Sequence, residues 1–228
     1  MNELAQKLIE ELQCETVFTI PVLGGIPVSE AVVVTWIIMA VLVIAAFILT
    51  RNLKVDHISK RQAVAESIVT GLMNMVQGMV GEKGKEYVPY LTTVMLYIGV
   101  SNIIGLFGFK SPTKDLRVTV ALALMSIILI EAAGIYHKGV KRWLHGFVEP
   151  VAIVTPINIL EVVTKPLSLC MRLFGNVLGA FVIMELLKMI LPVGLPVVFS
   201  LYFDIFDGLL QAYVFVFLTS LYIDEITE

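Results

Sequence analysis

INILEVVTKPLSLCMRLFGNVLGAFVIMELLKMIL, residues 157–191, is the stretch from which the architecture follows. It is almost wholly apolar and carries no turn signal stronger than Lys165-Pro166. As one helix it would measure roughly 50 Å at about 1.5 Å per residue, whereas the hydrocarbon core of a bilayer is about 30 Å thick. Such a helix must tilt steeply, bend or lie partly in the interface, well beyond the usual tilt of about 20°. Leu191-Pro192-Val193-Gly194-Leu195-Pro196 then marks a turn, after which the apolar stretch Val197 to Ile223 would return as a second long helix. Residues 151–191 and 197–223 are therefore expected to form a long, strongly tilted C-terminal hairpin. The acidic tail Asp224-Glu225-Ile226-Thr227-Glu228 is expected to leave the membrane.

The rest of the chain agrees with a lipid environment. Of its 228 residues, 58% are hydrophobic and only 15% charged, too apolar a balance for an ordinary water-soluble domain. Two further windows, Ala31 to Thr50 and Tyr87 to Phe107, contain no formal charge and reach the roughly 20 residues a spanning helix needs. The net charge is −3, and Lys and Arg are scattered through short loops, so the basic footprint of a nucleic-acid binder is missing. Cys14 and Cys170 form neither a disulfide framework nor part of a metal-spaced cluster. Gly81-Glu82-Lys83-Gly84-Lys85 lacks the spacing of a nucleotide-binding loop and the strand that should precede it.

These features predict an all-α polytopic membrane protein with about five membrane helices in one membrane domain. Residues 1–28 make an N-terminal segment too acidic at its start for a cleaved signal sequence. Leu4, Leu8 and Leu12 repeat at helical spacing there, which fits either a short amphipathic helix or a frayed terminus. A first membrane helix is expected over 29–50, ending before the basic set Arg51, Lys54, His57, Lys60 and Arg61. Positive residues favour the cytoplasmic side, which puts the N-terminus outside. Over 62–81, Val64, Ile68, Leu72, Met75 and Met79 share one face while Glu66, Thr70, Asn74 and Gln77 share the other, an interfacial amphipathic pattern. Membrane helices follow over 87–107 and 116–137, the second opened by Asp115 as a capping residue and closed by His137, Lys138, Lys141 and Arg142. Trp143 to Pro150 reads as an interfacial stretch anchored by Trp143 and Phe147. The C-terminus is then cytoplasmic.

Ionisable side chains at bilayer depth carry the chemistry. Arg172 lies near the middle of the long apolar segment, where a guanidinium costs at least about 2.5 to 3.5 kcal/mol on insertion scales. The alternative, an arginine snorkelling to an interface, sits poorly with that central position. Asn176 is one turn further on the same face, and Ser168, Lys165 and Glu161 continue that face toward the cytoplasmic end. Gly175 and Gly179 would let another helix approach closely. In the last helix Asp204, Asp207 and Gln211 are spaced by three and four and form one polar stripe. Counted from the turn, Arg172 and Gln211 lie at comparable depth, while Asp204, Asp207 and Glu185 lie nearer the outside. Removing a carboxylate from water penalises its charged form, the condition for exchanging a proton or binding Na⁺, unless these groups merely satisfy one another to fix the hairpin. Glu131 could reach the same aqueous region or pair with a neighbouring helix. The arrangement reads as two incomplete polar routes separated by a fixed positive charge. One enters from outside along Glu185, Asp204 and Asp207, and the other opens to the cytoplasm near Glu161. A continuous water path would leak, so Arg172 makes sense only if a moving partner carries the ion between the halves.

Lys165-Pro166-Leu167-Ser168-Leu169-Cys170-Met171-Arg172-Leu173-Phe174-Gly175-Asn176 resembles the signature of subunit a of F-type ATP synthases. Leu210-Gln211-Ala212-Tyr213-Val214-Phe215, with Leu218-Thr219 and Tyr222, is similar to that family's final helix. Ser101-Asn102-Ile103-Ile104-Gly105, Pro112-Thr113-Lys114-Asp115-Leu116 and Pro156-Ile157-Asn158-Ile159-Leu160-Glu161 extend the resemblance from about Tyr87 to the C-terminus. The resemblance implies a stator whose tilted hairpin embraces a ring of c subunits and passes H⁺ or Na⁺, with no cofactor, no stable metal site and no nucleotide or catalytic site of its own. Arg172 would be the essential arginine, with Gln211 across from it, Asn176 one turn on, and Asp204 at a position that can be histidine or glutamate. Phe181 stands where some members have a glutamate, which implies that the outer access carboxylate has moved to the last helix. Glu161, Glu185, Asp207, Glu131 and Ser168 are candidate lining residues of the half-channels. The implied partners are the c-ring, the peripheral stalk subunit b, indirectly the F1 sector, and membrane lipid, in the plasma membrane of a bacterium. Two other classes compete: a self-contained secondary transporter, against which the lack of paired broken half-repeats argues, and a structural assembly factor.

Overall fold

A computed structural model describes residues 16–20, 26–51, 59–107, 109, 111–148, 152–190 and 194–227. The proposed helix around Leu4, Leu8 and Leu12, and Cys14, lie outside them. The long helices are α1 (Glu30–Thr50), α2 (Lys60–Gln77), α3 (Val88–Ile103), α4 (Leu116–Lys138) and α6 (Thr155–Ile190). The short α5 is Val140–Gly146. The last hairpin arm begins as α7 (Leu195–Ser200), passes through a π-helical segment (Leu201–Asp207) and ends as α8 (Gly208–Thr227). Five stretches are long and apolar enough to span: Glu30–Thr50, Lys83–Phe107, Leu116–Lys138, Thr155–Met189 and Val198–Thr227. The protein is an all-α polytopic membrane protein.

Local chemistry explains most boundaries. Ser59 Oγ accepts from the Gln62 amide at 3.3 Å, so α2 starts two residues before the expected 62. Asp115 caps α4 as expected, its Oδ1 accepting from the Arg117 amide at 2.9 Å while Ser29 Oγ donates to Oδ2 at 3.0 Å. Gly139, at φ +76°, lets the chain turn from α4 into α5, a conformation costly for any residue with a Cβ. Pro166 lies inside α6 without ending it. At 36 residues α6 measures about 54 Å, still too long to stand upright in a bilayer.

Two features depart from expectation. Residues Thr16–Ile20 and Ile26–Ser29, β1 and β2, pair as antiparallel strands in the N-terminal segment, where no strand was expected; Thr16-Val17-Phe18-Thr19-Ile20 is rich in the β-branched and aromatic residues that favour a pleated strand. The last helix runs past its expected end at Ile223. Helix α8 runs on to Thr227 because Ile223 and Thr227 are buried and the Thr227 carbonyl accepts from Lys83 Nζ at 2.9 Å. Gly81 and Asp224 touch so closely that a Cβ on Gly81 would collide with the carboxyl group. Gly81 and Gly84 thus serve packing at the approach to α3.

Helix α8 is the hub, packed against α3 and α4, while α6 runs along α4 and α1 lies on the rim against α3. One core joins Val94, Ile98, Leu122, Leu169, Leu173 and Phe215, and a second joins Val76, Leu91, Ile130, Val216 and Ile223. On α2 the expected apolar face is the outward one: Val64, Ile68 and Met75 are exposed, and Val76 is buried instead. Glu66, Thr70, Asn74 and Gln77 are exposed as well and Met79 packs against the second core, so most of α2 is left uncovered by the chain.

Candidate functional site

Along α6 the ionisable and polar side chains fall into three zones. Near the C-terminal end of the bundle, α4, α5, α6 and α8 enclose a cavity of about 500 Å³ whose wall includes Glu131, Arg142, Glu161, Lys165 and Glu225. Lys165 Nζ lies 3.1 Å from Glu225 Oε2 and 3.7 Å from Glu161 Oε2, and 5.2 Å from the centre of the Tyr222 ring. Glu131 accepts a 2.9 Å bond from Trp143 Nε1 on α5 and lines this cavity, not the one that Asp204 and Asp207 line. Trp143 in turn packs edge-on against Phe147, 5.0 Å between ring centres.

The second zone, nearer the hairpin turn, is a cavity of about 700 Å³ between α6, the π segment and the Ile104–Lys114 connection. Glu185, Asp204, Asp207 and Gln211 all line it, so the structure brings together the acids that spacing alone placed at similar depth. Asp204 accepts from Ser200 Oγ at 2.8 Å, and Glu185 takes a 2.6 Å ion pair from Lys188 on the rim. Lys114 Nζ sits 4.6 Å above the Phe181 ring, placing a cation at the wall where the sequence showed only an apolar residue.

Arg172 occupies the third zone. It belongs to neither cavity. At about 1.5 Å per residue it lies roughly 10 Å along α6 from Lys165 and roughly 8 Å from Val177, the nearest α6 residues of the two cavities. Its side chain is exposed, and among the described residues it has no ion-pair partner. Ser168, Gly175 and Asn176 are exposed on the same helix, and among the described residues nothing beyond the helix's own backbone and the chain neighbours lies within 4 Å of a Cβ built on Gly175 or Gly179. Only 17% of the α6 window is buried within the chain, against 50% for α4, which marks α6 as a face awaiting lipid or a partner.

Asn176 Nδ2 donates to Oε1 of Gln211, a residue of the hairpin-cavity wall, at 2.6 Å across α6 and α8. Gln211 is thus held one turn nearer the hairpin than Arg172. Its own Nε2 is buried without a partner, a donor left over at the cavity wall.

Sequence reasoning missed the support beneath these groups. Asp204 and Asp207 lie on the π segment, whose ladder closes where the Gly208 amide donates to the Phe203 carbonyl, so the α-helical spacing assumed for Asp204, Asp207 and Gln211 does not hold throughout. Asn102 Nδ2 donates to the Gly208 carbonyl at 2.9 Å, and Thr113 Oγ1 donates to Asn102 Oδ1 at 2.7 Å. A Cβ on Gly208 would lie 2.8 Å from the Cβ of Asn102. The available signal was a single amide within the uncharged Tyr87 to Phe107 window.

Fold and site define a polytopic membrane protein that groups ionisable side chains inside a helical hairpin. Residues 32–224 match the family described as ATP synthase A chain. ATP synthase subunit a of Moorella thermoacetica is 35% identical over 203 residues, covering 88% of this chain and 92% of that protein. ATP synthase subunit a, sodium ion specific, of Propionigenium modestum is 34% identical, covering 87% of this chain and 74% of that protein. ATP synthase subunit a 1 of Crocosphaera subtropica is 30% identical, covering 87% and 86%. The chain belongs to the ATP synthase subunit a family.

Proposed function

We propose that the chain is the stator subunit a of the F0 sector of a rotary ATP synthase, passing H⁺ or Na⁺ through two half-channels to and from carboxylates on a c-ring. The observation that carries this reading is the separation of two polar cavities along α6, with an exposed guanidinium between them that has no ion-pair partner among the described residues. The hairpin cavity, with Glu185, Asp204 and Asp207, serves as the outer access route, and the cavity at Glu161 as the cytoplasmic one. Neither reaches Arg172, so the ion must leave this chain to cross. A ring carboxylate arriving opposite Arg172 meets a charge that stays positive at any accessible pH, and exchanges its ion for that contact. Asn176 holds Gln211 at the hairpin-cavity wall, on the side facing the arginine.

The same reading places the N-terminus outside and the C-terminus in the cytoplasm, with the peripheral stalk subunit b and the c-ring as direct partners and the F1 sector as an indirect one, in a bacterial plasma membrane. Nucleotide chemistry belongs to other subunits, and no resident cofactor is required. The likeness to a relative named as sodium ion specific keeps both H⁺ and Na⁺ open as cargo. Dependence of ATP hydrolysis on Na⁺ in the assembled complex distinguishes them.

The deciding experiment is R172A in the assembled complex. Loss of both ion-driven ATP synthesis and ATP-driven pumping, with normal assembly, is expected; coupled transport that survives would overturn the proposal.

A further inference from the structure

We infer that Glu225, in the last turn of α8, is a positioning residue for the cytoplasmic route: it holds the Lys165 ammonium off Glu161 and so leaves the Glu161 carboxylate available for ion exchange. The inference rests on the proposed function. Its basis is an unequal sharing of one cation. Lys165 is the most buried of the three, with 18% of its side chain exposed, against 49% for Glu161 and 56% for Glu225. Its Nζ makes a hydrogen-bonded pair with Glu225 at 3.1 Å but stands 3.7 Å from Glu161, beyond hydrogen-bond length. Glu161 is the local partner, one helical turn away on α6, whereas Glu225 reaches across from α8. Local pairing at this spacing with the acid N-terminal to the lysine is ordinarily favourable, so something must hold the ammonium away from it. The geometry points to Glu225, helped by the Tyr222 ring 5.2 Å from Nζ on the same helix.

The consequence for transport follows from competition. A carboxylate bound directly to a lysine has its oxygens occupied by ammonium hydrogens, and a transported ion must displace them. With Glu225 charged, Lys165 is engaged elsewhere and Glu161 faces the cavity. With Glu225 neutral, Lys165 falls back on Glu161 and obstructs the route. Arg142 and Lys138, which line the same cavity, lie on α5 and at the end of α4, and Glu131 is engaged by Trp143. The neighbourhood therefore offers Glu225 as the acid bonded to Lys165 from across the cavity.

The test is a double-mutant cycle on ATP-driven pumping by the assembled complex in vesicles, with R172A alongside. E225Q is expected to lower the pumping rate by about three- to tenfold, the size of a coupling between directly contacting residues. E225D, which keeps the charge, should recover most of that loss. In K165Q/E225Q the rate should return toward that of K165Q, because no ammonium remains to trap Glu161. A purely structural tie between α6 and α8 predicts the reverse, with the double variant no better than E225Q. If E225Q alone does not assemble, K165Q decides the matter: near-normal pumping in K165Q, unchanged in K165Q/E225Q, supports the inference, and a severalfold loss in K165Q or a further loss in the double variant overturns it. Normal pumping in E225Q also overturns it. Pumping by R172A would instead bring down the underlying functional reading, whatever Glu225 does.

Discussion

At the scale of single residues, the chemistry concentrates in groups whose partners are few and specific. Asp204 accepts from Ser200 at the wall of the hairpin cavity, while Asp207 lines the same cavity one turn nearer Gln211. If Asp204 is the outer access acid, D204N should reduce coupled ion flux by about tenfold, roughly 1.4 kcal/mol of barrier, and D207N by less. Flux measurements on vesicles carrying assembled complex check this, and an unimpaired D204N removes Asp204 from the pathway. Arg172, Gln211, Asn176 and Asp204 were all legible in the sequence, because a charged or amide side chain in an apolar helix stands out against its surroundings. Their partners were not legible: Lys165 with Glu225, and Glu131 with Trp143, join positions on different helices. Such pairings depend on how those helices are set side by side, which no local spacing encodes.

At the scale of elements, the apolar windows and caps located the helices to within a few residues. Ser59 and Asp115 did so through side-chain bonds to the first turn. The π segment escaped because its sequence, Leu201-Tyr202-Phe203-Asp204-Ile205-Phe206-Asp207, carries an ordinary helical hydrophobic pattern. What accompanies it is tertiary: Asn102 satisfies the Gly208 carbonyl and packs where Gly208 has no side chain. N102A should destabilise the protein by about 1 to 3 kcal/mol, because it removes the side-chain donor to the Gly208 carbonyl and an acceptor of the Thr113 hydroxyl. G208V should cost a similar amount, about 1 to 3 kcal/mol, by forcing a side chain into that contact. Thermal unfolding of the detergent-solubilised protein measures both. If neither variant lowers the melting temperature, Asn102 does not brace this junction.

At the scale of the molecule, α4 and α8 form the buried centre, while α6 turns a largely uncovered face carrying Arg172 outward. A self-contained transporter would enclose its fixed charge; this arrangement leaves it for a second molecule. The purified chain alone in liposomes should therefore show neither solute uptake nor coupled ion movement, both assayed by tracer flux, and robust uptake by the chain alone would favour the transporter class. The sequence by itself determined that the chain lives in a membrane, how many times it can cross, and that a cation sits deep in its longest helix, because apolar length and the cost of burying charge are properties of linear stretches. Only the tertiary structure decided which helices wall the two cavities, that Glu131 and Glu225 join Glu161 in one of them, and that the last helix stays packed on the bundle as far as Thr227. Those outcomes depend on which helix faces touch, set by close packing among residues far apart in the chain.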